Sequence, residues 1–183
     1  MTTEQAPAKA PEGPPPVGPY GQFLKEHGIE SKRLPDSRGV GGQIENIEVD
    51  RKDLEAAVRF LRNDSEVGLD LLLTVSGVET NETFDSVYHL WSYTSKNELV
   101  IKAVVAKTEC ADEKLPMVPS LAKFWKTANW HERETYDLMG IRYLGHPYLR
   151  RILNPWDWEG YPLRRDYKQP IDALNDKNPH SFR

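Results

Sequence analysis

The 183-residue chain holds one cysteine, Cys110. A single thiol cannot supply the four cysteine ligands of an iron–sulfur cluster or a structural zinc site, and it cannot close an internal disulfide. The chain therefore reads as intracellular, with no cysteine-held metal centre of its own. Long hydrophobic runs are also missing: the main apolar stretches, residues 69–75 and 99–105, fall far short of the roughly 20 residues that cross a bilayer. Positive charge is not in excess, because 28 acidic residues face 24 basic ones for a net charge of −4. Phosphate binding needs a positive field, so a general nucleic-acid role is not expected. The first 19 residues have no apolar run and only Lys9 as a basic residue. Neither a secretory signal nor an arginine-rich transit peptide is expected there.

What is present divides into three parts. Residues 1–19, with Pro7, Pro11, Pro14, Pro15, Pro16 and Pro19, cannot hold a regular helix or strand and read as a flexible tail biased to polyproline II. Residues 20–118 read as an α+β domain. A short helix over 20–27 is stopped by Gly28, a glycine-rich loop covers 37–43, and 44–49 alternates as a strand. Asp50 is the expected N-cap of a helix whose Leu54, Ala57, Val58 and Leu61 share one face. Strands follow over 69–78, 84–93 and 97–108, the last two joined by a hairpin at 94–97. Helix, strand, helix and then three strands imply a two-layer domain, with helices on one face of a mostly antiparallel or mixed sheet. No internal repeat is visible.

Residues 119–183 differ in character. Four of the five tryptophans lie there, among tyrosines, charge, glycine and proline. Such a composition suits an extended irregular strap with short helices, its rings covered by something large. In it, the spacing predicts a helix from Trp130 to Met139, with Asn129 as N-cap, Glu132 completing a capping box and Gly140 as the left-handed stop. Arg133 and Asp137 stand one turn apart as a candidate ion pair, and Trp130, Glu134, Asp137 and Ile141 share a face.

Catalytic readings fail on this pattern. His131-Glu132 begins like the zinc-protease HExxH, but Thr135 stands where the second histidine belongs. Glu132 and Glu134 are two positions apart on a helix and diverge by roughly 200°, so they cannot flank one bond. One carboxylate for the helix terminus and one for an arginine is the simpler reading. His146, held extended by Pro147, is a candidate donor to a backbone carbonyl. Arg150-Arg151 and Arg164-Arg165 each place guanidiniums on both sides of an extended backbone: one can pair inward with Glu132, Glu134 or Asp166 while the other reaches a partner's carboxylates. Contacts to single-stranded nucleic acid are the lesser reading, since six acids balance the six arginines between Trp130 and Tyr167.

Several stretches together resemble one family: Val118-Pro119-Ser120, Ala128-Asn129-Trp130-His131-Glu132-Arg133-Glu134, Tyr136-Asp137, Gly140-Ile141, Gly145-His146-Pro147, Leu149-Arg150-Arg151-Ile152-Leu153 and Gly160-Tyr161-Pro162-Leu163-Arg164-Arg165-Asp166-Tyr167. The family is the C subunit of NADH:quinone oxidoreductase, respiratory complex I, equivalent to the J subunit of the photosynthetic NDH complex. Three positions depart from the usual pattern. Tyr148 and Trp156 stand where acids are common, and Arg165 replaces a common lysine.

The resemblance implies a non-redox structural subunit of the peripheral arm of a proton-translocating NAD(P)H or ferredoxin:quinone oxidoreductase. It would brace the large quinone-site subunit beside cluster-bearing neighbours in a hetero-oligomer. The chain itself would bind no cofactor and perform no chemistry, while the complex would hold iron–sulfur clusters and quinone, with FMN if NADH is the donor. Its place would be the cytoplasmic or stromal face of a bacterial inner or thylakoid membrane, held there only through the complex. Trp130, Tyr136, Arg150, Arg151, Trp158, Arg164, Arg165 and Tyr167 are expected at the partner interface. Glu132, Arg133, Glu134, Asp137, Gly140, Gly145, His146, Pro147 and Asp166 are expected to support it. Rival readings are the equivalent subunit of a membrane-bound hydrogenase or other quinone-linked dehydrogenase, a single-strand-binding module, and a free-standing acid/base enzyme using Glu134 and His146.

Overall fold

The computed structural model describes residues 17–35, 44–110 and 114–168. Most of the proline-rich tail, the whole of the glycine-rich loop at 37–43 and the last part of the C-terminal segment lie outside the described residues.

The chain order is α1 (Pro19–Glu26), β1 (Ser31–Leu34), β2 (Glu45–Asp50), α2 (Leu54–Asn63), β3 (Leu71–Glu79), β4 (Thr83–Trp91) and β5 (Glu98–Ala106). A 3-10 turn (Lys107–Cys110), β6 (Met117–Pro119), α3 (Lys126–Met139) and β7 (Arg142–Leu144) follow. The five-stranded sheet runs β1-β2-β5-β4-β3, and β6 with β7 form a separate pair. All neighbours in the large sheet are antiparallel except β2 and β5, which are parallel. The sheet is therefore mixed, as the element order implies.

Alternation along the central strands decides the layers. Ile47 and Val49 of β2, Tyr88 and Leu90 of β4, and Leu99, Ile101, Ala103 and Val105 of β5 join one core with Leu54, Ala57, Val58 and Leu61 of α2. All four α2 residues are fully buried, and each of the larger side chains contributes roughly 1.5–3 kcal/mol. Asp50 does not cap α2: its Oδ1 accepts the Lys52 amide at 2.8 Å, turning the chain before the helix begins at Leu54. At the other end of β2, buried Glu45 receives the free amides of Tyr20 and Gly21 at 3.0 and 3.1 Å, satisfying the start of α1.

α3 lies against β3. A Cβ on Gly77 would come within 2.6 Å of Thr135 Cγ2 and 3.1 Å of Met139 Cγ, so the close approach requires glycine there. β3 carries a register irregularity between Leu72 and Thr74, and just beyond it the Val75 amide donates to His131 Nδ1 at 3.1 Å. That histidine, which begins the HExxH-like string, is tied to the sheet.

Candidate functional site

α3 begins at Lys126, with extended Trp125 before it and no side-chain cap. The expected start at Asn129 is therefore corrected. Lys126, Thr127 and Ala128 already fit the helix, and the carboxyl that was to complete the cap faces elsewhere. The buried stripe is Ala128, Glu132, Thr135 and Met139, together with Asp137. Trp130 and Asp137 do not share an environment, since Trp130 is 61% exposed and Asp137 fully buried.

Glu132 accepts Ser120 Oγ at 2.6 Å and the Leu121 amide at 2.7 Å, fastening the segment after β6 to α3. Burial pushes its pKa up to about 7 against the opposing pull of those two hydrogen bonds. His146 lies 4.0 Å away with its side chain fully buried. Its Nε2 donates to the Asn129 carbonyl at 3.0 Å, while Nδ1 accepts the Tyr148 amide at 3.0 Å. Both ring nitrogens are committed only in the neutral form, and burial lowers the imidazole pKa. The expected carbonyl contact is present, and the ring also positions the turn after Pro147.

Asp137 is the centre of the strap's attachment. Its Oδ1 accepts Arg151 Nη1 and Asn154 Nδ2, both at 2.8 Å. Its Oδ2 accepts the three successive amides of Ile152, Leu153 and Asn154 at 2.9, 2.7 and 2.9 Å. Burial alone would raise this carboxyl's pKa, but Arg151 and the amides outweigh it and hold it down at about 2. The anticipated Arg133–Asp137 pair does not form. Asp137 points into the protein, where Arg151 meets it, while Arg133 turns outward.

The last turn of α3 contains no basic residue of its own, and the strap supplies the missing donors. Arg151 Nη1 donates to the Asp137 carbonyl at 2.9 Å, the Leu163 amide to Leu138 at 3.0 Å, and Arg164 Nε to Met139 at 2.8 Å. Two guanidiniums thus sit at the negative end of the helix. Gly140 ends it with φ +71°, and a Cβ there would lie 2.7 Å from Arg164 Nη2 and the Tyr161 ring. Arg164 stacks 4.8 Å from the ring centres of both Phe84 and Tyr161, and Tyr136 meets Tyr161 edge-on at 6.1 Å.

In the Arg150-Arg151 pair, then, Arg151 turns inward and Arg150 is exposed. In the second pair Arg164 turns inward, while the Arg165 amide donates to Glu79 Oε2 at 2.8 Å and its guanidinium reaches Asn81. Arg133 lies 5.0 Å from the Trp130 ring centre and 5.5 Å from that of Tyr148, and Arg150 lies 4.6 Å from Tyr148. Trp158 and Tyr167 are half-buried, and the Tyr167 ring lies 3.0 Å from where a Gly160 Cβ would stand. Glu134 and Asp166 are exposed, Pro147 is exposed, and Gly145 takes φ +79°. Glu132 binds Ser120 and the Leu121 amide, so the division of the glutamates between helix terminus and arginine is corrected.

Sequence reasoning missed Asn154, Ser120, Phe84 and Glu79. The Asn154-Pro155 turn is the one local signal among them. Among the described residues, no group of three or more His, Cys, Asp or Glu side chains is arranged to hold a metal ion. No helix among them is long and apolar enough to cross a membrane.

The fold and site define a two-layer α+β domain whose C-terminal strap is clasped by arginines onto the end of one helix. The family described as "Respiratory-chain NADH dehydrogenase, 30 Kd subunit" matches residues 47–172, and the chain belongs to it. It is 47% identical over 111 residues to the C subunit of the NADH-quinone oxidoreductase of Roseiflexus sp. (strain RS-1), covering 59% of this chain and 60% of that relative. With the J subunit of the NAD(P)H-quinone oxidoreductase of Parasynechococcus marenigrum (strain WH8102) it shares 35% identity over 166 residues, 85% of each chain. It spans 60% of the length of the two Roseiflexus relatives and 49% of that from Chloroherpeton thalassium. A solved structure of the membrane-bound sulfane sulfur reductase, an archaeal respiratory membrane complex, contains a chain of the same fold. The TM-score is 0.61 at 20% identity, covering 83% of this chain and 85% of that one.

Proposed function

We propose that this chain is a structural subunit of the peripheral arm of a proton-translocating quinone oxidoreductase, and that its strap braces the large subunit that forms the quinone site. The chain acts through contacts and performs no redox step. It meets the membrane only through the complex, on the cytoplasmic or stromal side. Residues 119–183 are the partner-binding segment and 20–118 the domain that carries it. The clusters and quinone belong to the neighbours.

The observation that carries this reading is the division of the strap into two sides. Asp137, Arg151, Asn154 and Arg164 fix its inner side by hydrogen bonds, whereas Leu153, Trp156 and Leu163 stand 61%, 89% and 60% exposed. A segment held this firmly while exposing three large apolar side chains has the character of one half of an interface. The acid/base reading has no comparable support: the His146 ring is buried with both nitrogens bonded, and Glu134 is exposed.

The test is a host strain carrying Leu153→Asp and Leu163→Asp in place of the native copy. The expected result is loss of the subunit from the complex and loss of quinone-linked activity, while the purified variant chain keeps its melting temperature within a few degrees. An intact, active complex would overturn the proposal. Mass spectrometry of the wild-type complex separates the rivals within the family: a nucleotide-binding flavoprotein indicates an NADH donor, and a large subunit with nickel ligands indicates a hydrogenase-type complex.

A further inference from the structure

We infer that Trp130, Arg133, Tyr148 and Arg150 form a receptor for the carboxylate side chains of an acidic segment on the neighbouring subunit. This rests on the interface reading above and specifies the partner's chemistry at one end of the strap.

The protein is net acidic, and Arg151, Arg51 and Arg59 each pair with a carboxylate. Arg133 and Arg150 have no carboxylate partner among the described residues, although both lie against the Tyr148 ring, 5.5 and 4.6 Å from its centre. Arg133 spends only Nε, donating to the Arg150 carbonyl at 3.1 Å. Among the described residues, the terminal nitrogens of Arg133 and all the side-chain nitrogens of Arg150 remain available.

Ring contact changes what those groups can bind. Stacking covers a guanidinium's flat face and leaves its in-plane N–H groups pointing outward, the arrangement that matches a carboxylate through two parallel hydrogen bonds. The rings also restrict the long side chains, so less rotamer freedom is lost on binding.

The cluster is fixed from behind. Trp130 and Arg133 stand on α3, and Tyr148 is held to that helix through His146, which links its amide to the Asn129 carbonyl. Two cations held near one ring repel each other, and carboxylates arriving from outside relieve that repulsion. Trp130 and Tyr148, 61% and 52% exposed, supply apolar contact around the charges. This combination favours a protein segment over a lipid headgroup.

The test uses the intact complex carrying Arg150→Lys. A carbodiimide couples amines to adjacent carboxylates but leaves guanidinium untouched, so the substitution creates a reactive probe at this position. The expected result is a new covalent link, absent from wild type, between position 150 and an Asp or Glu of a neighbouring subunit. A link within this chain, or none in a complex that retains the subunit, would overturn the inference and leave the structural role intact. Should that variant fail to assemble, the Arg133→Lys complex provides the same probe.

The Arg150→Gln complex provides a second readout. The subunit should dissociate about tenfold faster than wild type, with a weaker dependence of the rate on salt. Equal rates and equal salt dependence would contradict a carboxylate receptor. Loss of the wild-type subunit's retention on removing anionic lipid, without any cross-link to protein, would assign the cluster to headgroups and overturn it too. Absence of the wild-type chain from any quinone-linked complex would instead sink the underlying interface reading.

Discussion

Asp137 and Arg151 meet at 2.8 Å across the end of α3, with the carboxylate fully buried and the guanidinium also bonded to the Asp137 and Gly160 carbonyls. The pair joins a helix to the strap that follows it. Because three consecutive amides share the same carboxylate, its loss affects a whole turn of chain and not one contact.

Asp137→Asn keeps the shape but removes the charge and an acceptor from a cluster of donors. The folded chain should lose roughly 2–4 kcal/mol, the range for breaking a buried ion pair or stranding buried donors. Amide hydrogen exchange at residues 152–154 should accelerate at the same time. Unchanged denaturant midpoint and protection would show that the strap is held by other contacts.

The depressed Asp137 pKa fixes the sign of an acid response. The folded value of about 2 lies below the ordinary value of 3.8, so this stabilisation is present above roughly pH 4 and disappears as pH falls toward 2. The contribution is roughly 2 kcal/mol. Denaturant titrations of wild type and Asp137→Asn between pH 2 and 5 should converge at the acid end, and parallel curves would contradict it.

Glu132 should act in the opposite direction. Its folded pKa of about 7 exceeds the ordinary 4.5, so folding favours the protonated acid. Stability from this group is therefore greatest at low pH and declines as pH rises through about 4.5 to 7, by roughly 3 kcal/mol at most. Glu132→Gln should remove that slope, and urea denaturation at several pH values would show it. The lowered pKa of His146 opposes it: its contribution is present above the unfolded value of 6.5 and falls as pH drops through the folded value. Below that value the protonated ring also loses its acceptor for the Tyr148 amide.

Gly77→Val tests the seat of α3 on β3. With a Cβ only 2.6 Å from Thr135 Cγ2, the helix must shift, at a cost of about 1–3 kcal/mol. A variant as stable as wild type would show that α3 can move away from the sheet without penalty.

Much of the fold was readable because the central strands alternate cleanly. Leu99, Ile101, Ala103 and Val105 mark β5, and Leu54, Ala57, Val58 and Leu61 mark α2. β1, β6 and β7 were missed because three or four residues carry too little periodicity, and their pairing is decided by partners distant in sequence. The start of α3 was misplaced because an acid three residues after Asn129 resembles a cap. Glu132 instead lies on the buried stripe, where local spacing predicts an apolar residue.

In the strap, extended geometry implied that paired arginines point opposite ways, and Arg150 and Arg151 do so. Which one turns inward depends on where α3 ends and on the buried Asp137, neither of which is marked beside the arginines. Helical spacing suggested Arg133 for Asp137, but a pair one turn apart contributes only a few tenths of a kcal/mol. The buried contact with Arg151 has six companion hydrogen bonds on the two carboxylate oxygens and the adjacent carbonyl: two from the Asn154 side chain, three from backbone amides and one more from Arg151 itself.

The most direct test of a partner-facing strap is hydroxyl-radical footprinting of the chain alone and in the assembled complex. Trp156 is the most sensitive reporter, being 89% exposed in the isolated chain. Its labelling, with that of Leu153 and Leu163, is expected to fall several-fold on assembly. Equal labelling of all three in the free and assembled protein would contradict the proposed role of the strap.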